Sequence, residues 1–304
     1  MYARFKTVIV FLFALTLAAC GGSSSSTTST NSEGSSNATS FETATYRVEY
    51  EQVSTPMEGK STFTIRVYNK ASGATVPGLT LTINPLMTMA TAEEHSSPIG
   101  PVTDNGDGSY TCTVYYLMAS TMNGVSMGTW ELNVTINGET ATFSPDVMMA
   151  MGDTAKATLK NQNDKIAGMT GDAETRTYYL FKESLMGSTG NHMFKLFVAT
   201  RESMMSHPAV YTGQSLNDEN GAAWTVNSIT IQVSTDGTTW TDMMESGSGY
   251  FMVSGLTGLT DGTEGVIYVK MTINGVQYTT DGAAVSGANG YQAFTVTPGA
   301  SMSM

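Results

Sequence analysis

From Gly128 the chain alternates apolar and polar residues, with Trp130, Leu132, Val134 and Ile136 on one face, and then meets Asn137-Gly138. The same grammar returns later: Ile267, Val269, Met271 and Ile273 alternate, and Asn274-Gly275 follows. A period of two is that of a half-buried β-strand. Asn-Gly supplies the two φ > 0 residues of a type I′ hairpin turn. Upstream of each long strand a Gly-flanked turn opens a shorter one, Tyr110 to Val114 and Tyr250 to Ser254. In that alignment Cys112 and Met252 occupy equivalent inward positions.

The remaining strands fall on either side of these two units. The first unit predicts strands over 46–50, 63–68, 79–83, 110–115, 130–136, 140–143 and 155–159. In the second, Phe194 to Val198 answers Phe63 to Val67, Ile229 to Val233 answers Leu79 to Ile83, and Tyr291 to Thr297 answers the strand near Leu159. Seven short strands with turn signals between them fit an immunoglobulin-like sandwich, and the ordered recurrence reads as an internal duplication. The expected fold class is therefore all-β, two tandem immunoglobulin-like antiparallel β-sandwich domains. The first spans residues 44–161 and the second 176–304, with the polar stretch 162–175 as the linker.

Residues 1–19 read as a lipoprotein signal peptide. Arg4 and Lys6 form a basic n-region, 8–17 an apolar run too short to span a bilayer with its flanks, and Leu17-Ala18-Ala19-Cys20 resembles a bacterial lipobox. Cys20 is then the lipidation site, and several acyl chains on one residue give a stable membrane anchor. Residues 20–43, mostly Gly, Ser, Thr and Asn, make a flexible tether, with a reach of roughly 25 Å over twenty residues. Gly21 after the cysteine resembles the outer-membrane sorting signal of Gram-negative lipoproteins, so the expected address is the cell envelope, on the periplasmic face or the cell surface.

Composition narrows the function classes. Removing Arg4 and Lys6 with the signal peptide from 14 basic residues leaves 12 against 26 acidic ones, a formal charge of −14. That balance excludes nucleic acid as an expected partner, since a phosphate backbone needs basic patches. Cys112 is the one cysteine besides Cys20, so no intramolecular disulfide is expected, and its inward position makes it a buried thiol. The chain carries no His-Glu-x-x-His and no phosphate-cradling glycine loop, and the adjacent Glu93-Glu94 would point to opposite faces of a strand. The expectation is a binding or accessory module and not an enzyme. Asp104 to Gly108 has the flavour of a calcium loop, but a turn before Tyr110 accounts for it.

Candidate chemistry centres on sulfur. Asn84-Pro85-Leu86-Met87-Thr88-Met89, then His95, Gly106-Asp107-Gly108-Ser109-Tyr110 and Gly128-Thr129-Trp130-Glu131-Leu132 resemble the YtkA-like family of exported β-sandwich domains, over roughly residues 60–140. The resemblance implies an exported sandwich and, because members of that family are discussed near copper handling, a soft metal. Independently, the chain holds 21 methionines and 3 histidines. Each histidine lies near a methionine: His95 after Met89, His192 beside Met193, His207 after Met205. Thioether sulfur selects Cu(I), and imidazole joins it readily. Simple strand alternation sorts Met57, Met87, Met89 and His95 to one end of the first sandwich and Met118, Met122, Met127 and 148–151 to the other. In the second it groups Met186, His192, Met193, Met243 and Met244 apart from Met204, Met205 and His207. Met87, Met89 and His95 are the expected Cu(I) ligands. The competing reading is a structural or protein-interaction lipoprotein, with an envelope protein as partner, in which methionine fills core gaps, makes adaptable contacts or absorbs oxidation.

Overall fold

The computed structural model describes residues 38–168 and 171–299. The expected signal peptide, Cys20 and most of the expected tether lie outside the described residues. In the first half the strands are β1 (Ala38–Glu42), β2 (Tyr46–Gln52), β3 (Gly59–Asn69), β4 (Leu81–Met89), β5 (Glu94–Ser96), β6 (Thr103–Asp104), β7 (Ser109–Tyr116), β8 (Thr121–Met122), β9 (Val125–Ser126), β10 (Gly128–Ile136) and β11 (Glu139–Phe143). The second half contains β12 (Lys156–Ala167), β13 (Ala173–Ser188), β14 (Asn191–Thr200), β15 (Ser215–Asn217), β16 (Ala223–Thr225), β17 (Ile229–Ser234), β18 (Thr241–Asp242), β19 (Met244–Glu245), β20 (Tyr250–Leu256), β21 (Gly265–Ile273), β22 (Val276–Gln277) and β23 (Gln292–Val296).

Each half stacks two antiparallel sheets. In the first, the order β1-β2-β3-β7-β6 faces β11-β10-β4-β5; in the second, β12-β13-β14-β20-β19 faces β18-β17-β21-β22, with β23 paired to β21. The strand order of the two halves corresponds: β2-β3-β7 matches β13-β14-β20, and β4-β10-β11 matches β17-β21-β22. This is the immunoglobulin-like arrangement, in which inward residues of both sheets make the core. Tyr50, Phe63, Ile65, Val114, Trp130, Leu132 and Val134 fill the first core. Leu180, Phe194, Leu196, Ile231, Ile267, Val269 and Met271 fill the second. Each fully buried aliphatic or aromatic side chain of this kind contributes roughly 1.5–3 kcal/mol of hydrophobic stabilisation. The described residues of both halves belong to one compact unit.

The two Asn-Gly turns form as expected. Asn137 and Gly138 have φ of 49° and 84°, Asn274 and Gly275 of 50° and 79°, and they set the register Ile136↔Glu139 and Ile273↔Val276. Cys112 is fully buried, its thiol pushed up to about 12 by burial alone. Two expectations fail. The linker over 162–175 is not a linker: β12 runs to Ala167 and pairs with β13, in register from Lys156↔Phe181 to Ala167↔Ala173 with one irregularity between Lys160 and Lys165. β12 therefore belongs to the second sandwich, and its polar sequence reflects an edge strand whose outer face meets water. Met252 is not inward either; Phe251 and Val253 are buried in the core and Met252 is half-buried on the other face. A one-residue offset flips every side chain of a strand, and here Tyr250 is drawn instead into the contact between the sandwiches.

That contact is a third cluster, with Tyr115, Phe181, Phe197 and Ala199 buried at its centre. Tyr115 stacks on Phe197 with centroids 4.1 Å apart and planes 15° off parallel. Its hydroxyl donates to Glu183 Oε2 at 2.7 Å and lies 3.0 Å from the Tyr250 hydroxyl. Lys60 closes on the same carboxylate at 2.5 Å. β13 thus serves two cores: Leu180 faces into its own sandwich while Phe181 faces the seam.

Candidate functional site

The candidate ligands meet at one corner of the first sandwich. Across β10, β4 and β5, Trp130 pairs with Met87 and Met87 with His95, so the three side chains stand in one row on the inner face. Met87 is fully buried and His95 is 7% exposed. Met89 follows two residues along the same strand and so on the same face, opposite Gly128, and is half-buried. Gly128 sits at φ 153°, where a Cβ would lie 2.3 Å from the Thr88 carbonyl oxygen and 2.9 Å from Met87 Cε. Only glycine lets β10 approach β4 this closely and leaves the Met87 thioether in place.

His95 is held on two sides. Its ring stands edge-on to Trp130, with centroids 5.2 Å apart and planes at 87°, and Trp130 in turn donates its indole N–H to the Met118 carbonyl at 3.0 Å. His95 Nδ1 lies 2.9 Å from the Ser96 carbonyl oxygen. A carbonyl only accepts, so this contact places the proton on Nδ1 and leaves Nε2 with a free lone pair. An imidazole oriented in this way by a backbone carbonyl is the usual outer arrangement around a metal-binding histidine.

The other methionines of the first sandwich do not sort to two ends. Ala90 N–H donates to the Met127 carbonyl, Met127 N–H to Ser120 and Ser120 N–H to Val147, while Met57 and Met148 form a parallel bridge. Met57, Met118, Met122, Met127 and Met148 therefore share the Met87 and Met89 end. The in-register pairing of β4 with β10 brings the end of one to the start of the other, and the short strands β5, β6, β8 and β9 break the up-and-down count that alternation assumes. Met118 and Met127 pack against the core that holds Met87. At the other histidines the outcome differs. His192 is buried, and its Nε2 contacts Asp261 Oδ1 at 2.9 Å, an interaction that holds the aspartate below its usual range.

His207 is the member that local patterning did not connect to this corner. Ser96 N–H, next to His95, donates to the Met204 carbonyl at 2.8 Å, so the 201–208 loop of the second sandwich lands on β5. His207 packs beside Tyr179 with centroids 6.2 Å apart, and its Nδ1 is buried without a hydrogen-bond partner. Burial, then the neighbouring charges of His95 and Arg201, hold its pKa down to about 4, so the ring is neutral at physiological pH. Arg201 contacts Met204 Sδ at 3.9 Å and pairs with Glu174 at 2.5 Å. No sequence signal links His95 to a residue more than a hundred positions away.

Among the described residues no group of three or more His, Cys, Asp or Glu gathers as a hard or borderline metal site. Imidazole nitrogen with thioether sulfur is the donor chemistry present, and it suits Cu(I). Asp104 and Asp107 spend their carboxylates on the turn: Asp104 accepts from Gly106 and Gly78, and Asp107 from Ser109. A cleft at this end, about 260 Å³, is open and lined by Ser120, Thr129, Trp130 and Asp146 among others.

Strand order and paired cores define the class, a tandem immunoglobulin-like β-sandwich protein. No family model matches the chain, and no curated protein matches it. Among solved structures the chain is similar to FdeC, an Escherichia coli adhesin, at 17% identity and TM-score 0.21, covering 81% of this chain and 60% of that one. It is also similar to domains 5-6 of the S-layer protein SbsC, at 13% identity and TM-score 0.22 over 86% and 99% of the two chains. Invasin, a bacterial integrin-binding protein, matches at 10% identity and TM-score 0.25, over 83% of this chain and 64% of that one. The chain thus spans less than two thirds of the adhesin and invasin chains, and superpositions this loose transfer no binding activity.

Proposed function

We propose that the chain is a non-enzymatic binding module of the bacterial cell envelope, anchored through lipid at Cys20 to the outer membrane, which takes up Cu(I) through Met87, Met89 and His95. The observation that supports this most directly is the cross-strand pairing of Met87 with His95, whose Nδ1 is tied to the Ser96 carbonyl. Resemblance of residues 60–140 to the YtkA-like family agrees with the metal. The protein's own contribution is to hold an imidazole and thioethers together in an apolar corner, where water competes poorly for the ion. The acidic surface argues for a cation and against nucleic acid as the ligand.

A second reading is a protein-interaction lipoprotein of the envelope. It is favoured by exposed apolar residues at the methionine end, Met122, Val125, Met148 and Met151, the last 83% exposed. Competition of the full chain against a colorimetric Cu(I) chelator separates the two, with the Met87→Leu/Met89→Leu/His95→Ala variant beside it. Binding at defined stoichiometry that the variant loses supports the metal; no competition by the wild type refutes it and leaves the interaction reading.

A further inference from the structure

We infer that the soft-metal site is closed by the second sandwich, with His207 as a second imidazole ligand opposite His95, so that the bound ion bridges the two halves of the molecule. The inference rests on the Cu(I) reading above and adds a ligand that no spacing in the sequence places there.

Three observations carry it. The hydrogen bond from Ser96 N–H to the Met204 carbonyl, at 2.8 Å, seats the 201–208 loop one residue from His95. That loop is held at its base, where Thr200 N–H donates to the Pro208 carbonyl at 3.0 Å and Ala199 bridges Ala209. His207 therefore reaches the seam from a fixed support. Its Nδ1 is buried and has no partner within the protein, and a buried polar atom left unpaired in a native structure calls for a ligand, a water or an ion. His95 is the third: the Ser96–Met204 bond sets it beside that loop, and its ring is turned so that Nε2 is free.

The chemistry is self-consistent. Two imidazoles with thioether sulfur nearby suit Cu(I), which favours few, soft donors. The cation on that loop, Arg201, is paired with Glu174, so its charge opposes the ion less than a lone guanidinium would. Both histidines are presented by backbone elements that pack into the seam, which also holds Tyr115 and Phe197. Loading the ion would then fasten together two halves that already touch.

The test is a chelator competition on the full chain, comparing wild type, His207→Ala and the triple Met87/Met89/His95 variant, with X-ray absorption on the Cu(I)-loaded wild type. The expected result is one ion per chain, a loss of affinity of at least about ten-fold on His207→Ala, and two nitrogen scatterers with sulfur in the wild-type spectrum. If wild type binds and the triple variant does not, but His207→Ala binds as wild type does, this inference falls and the Cu(I) reading survives. If wild type does not bind, both fall. Because the spectrum counts nitrogens without any substitution, a single nitrogen overturns the inference even if His207→Ala fails to fold.

Discussion

Tyr115 is the side chain whose removal should uncouple the two sandwiches. It is fully buried, and its ring stacks on Phe197 at 4.1 Å and sits 5.1 Å from Phe181. Its hydroxyl is shared between Glu183 and Tyr250. Tyr115→Phe keeps the ring and deletes a hydrogen bond to a carboxylate, which costs about 1.5–3 kcal/mol; Lys60 still neutralises Glu183. Tyr115→Ala also empties the ring's place, for a total of roughly 3–5 kcal/mol by comparison with other buried aromatic truncations. Neither change touches the two main cores. The loss should therefore appear as lost coupling: wild type unfolds in urea as one transition, and Tyr115→Ala as two. Cys112, buried in the first core, reports that sandwich by thiol labelling, while Trp224 and Trp240 report the second by fluorescence in a Trp130→Phe background. Coincident transitions with an unchanged midpoint in Tyr115→Ala would refute the claim that this cluster joins the halves.

Two further outcomes follow from buried groups. Burial alone pushes the Cys112 thiol up to about 12, so at pH 8 a thiol reagent should modify Cys112 in the folded chain only through unfolding, at a rate that tracks denaturant; rapid labelling of Cys112 in native buffer, read by peptide mapping apart from Cys20, would contradict this. The raised folded-state pKa means that stability from this group is complete below an unfolded-state pKa of about 8.5 and declines as pH rises from there toward 12. Arg176 is fully buried, paired with Asp164 at 2.8 Å and with Glu202, and lies over the Trp224 ring. Arg176→Met should destabilise the second sandwich by about 3–5 kcal/mol, because two carboxylates lose their buried cation; a midpoint within error of wild type in urea denaturation would show that the network is dispensable.

Local rules carried much of the architecture. The alternation over Trp130 to Ile136 and Ile267 to Ile273 named residues that are all buried, and both Asn-Gly turns closed the hairpins they announced. Period and turn chemistry involve neighbours a few positions apart, so they survive into the fold. Met87 and His95 were legible as a pair for a similar reason: a short connection returns β5 to β4, and the register sets them opposite each other.

What depended on distant parts of the chain did not show in the pattern. β12 reads as polar linker because its partner, β13, supplies the pairing and only one face meets protein. β13 conceals its strand character because Leu180 and Phe181 face different cores. Met252 turned outward when Tyr250 was drawn into the seam, and the methionines of the first sandwich gathered at one end when β4 aligned with β10. The 201–208 loop that carries His207 meets β5 only because the two sandwiches dock. Side-chain period is a property of one strand, whereas register, docking and burial are set by surfaces that meet after each strand has formed.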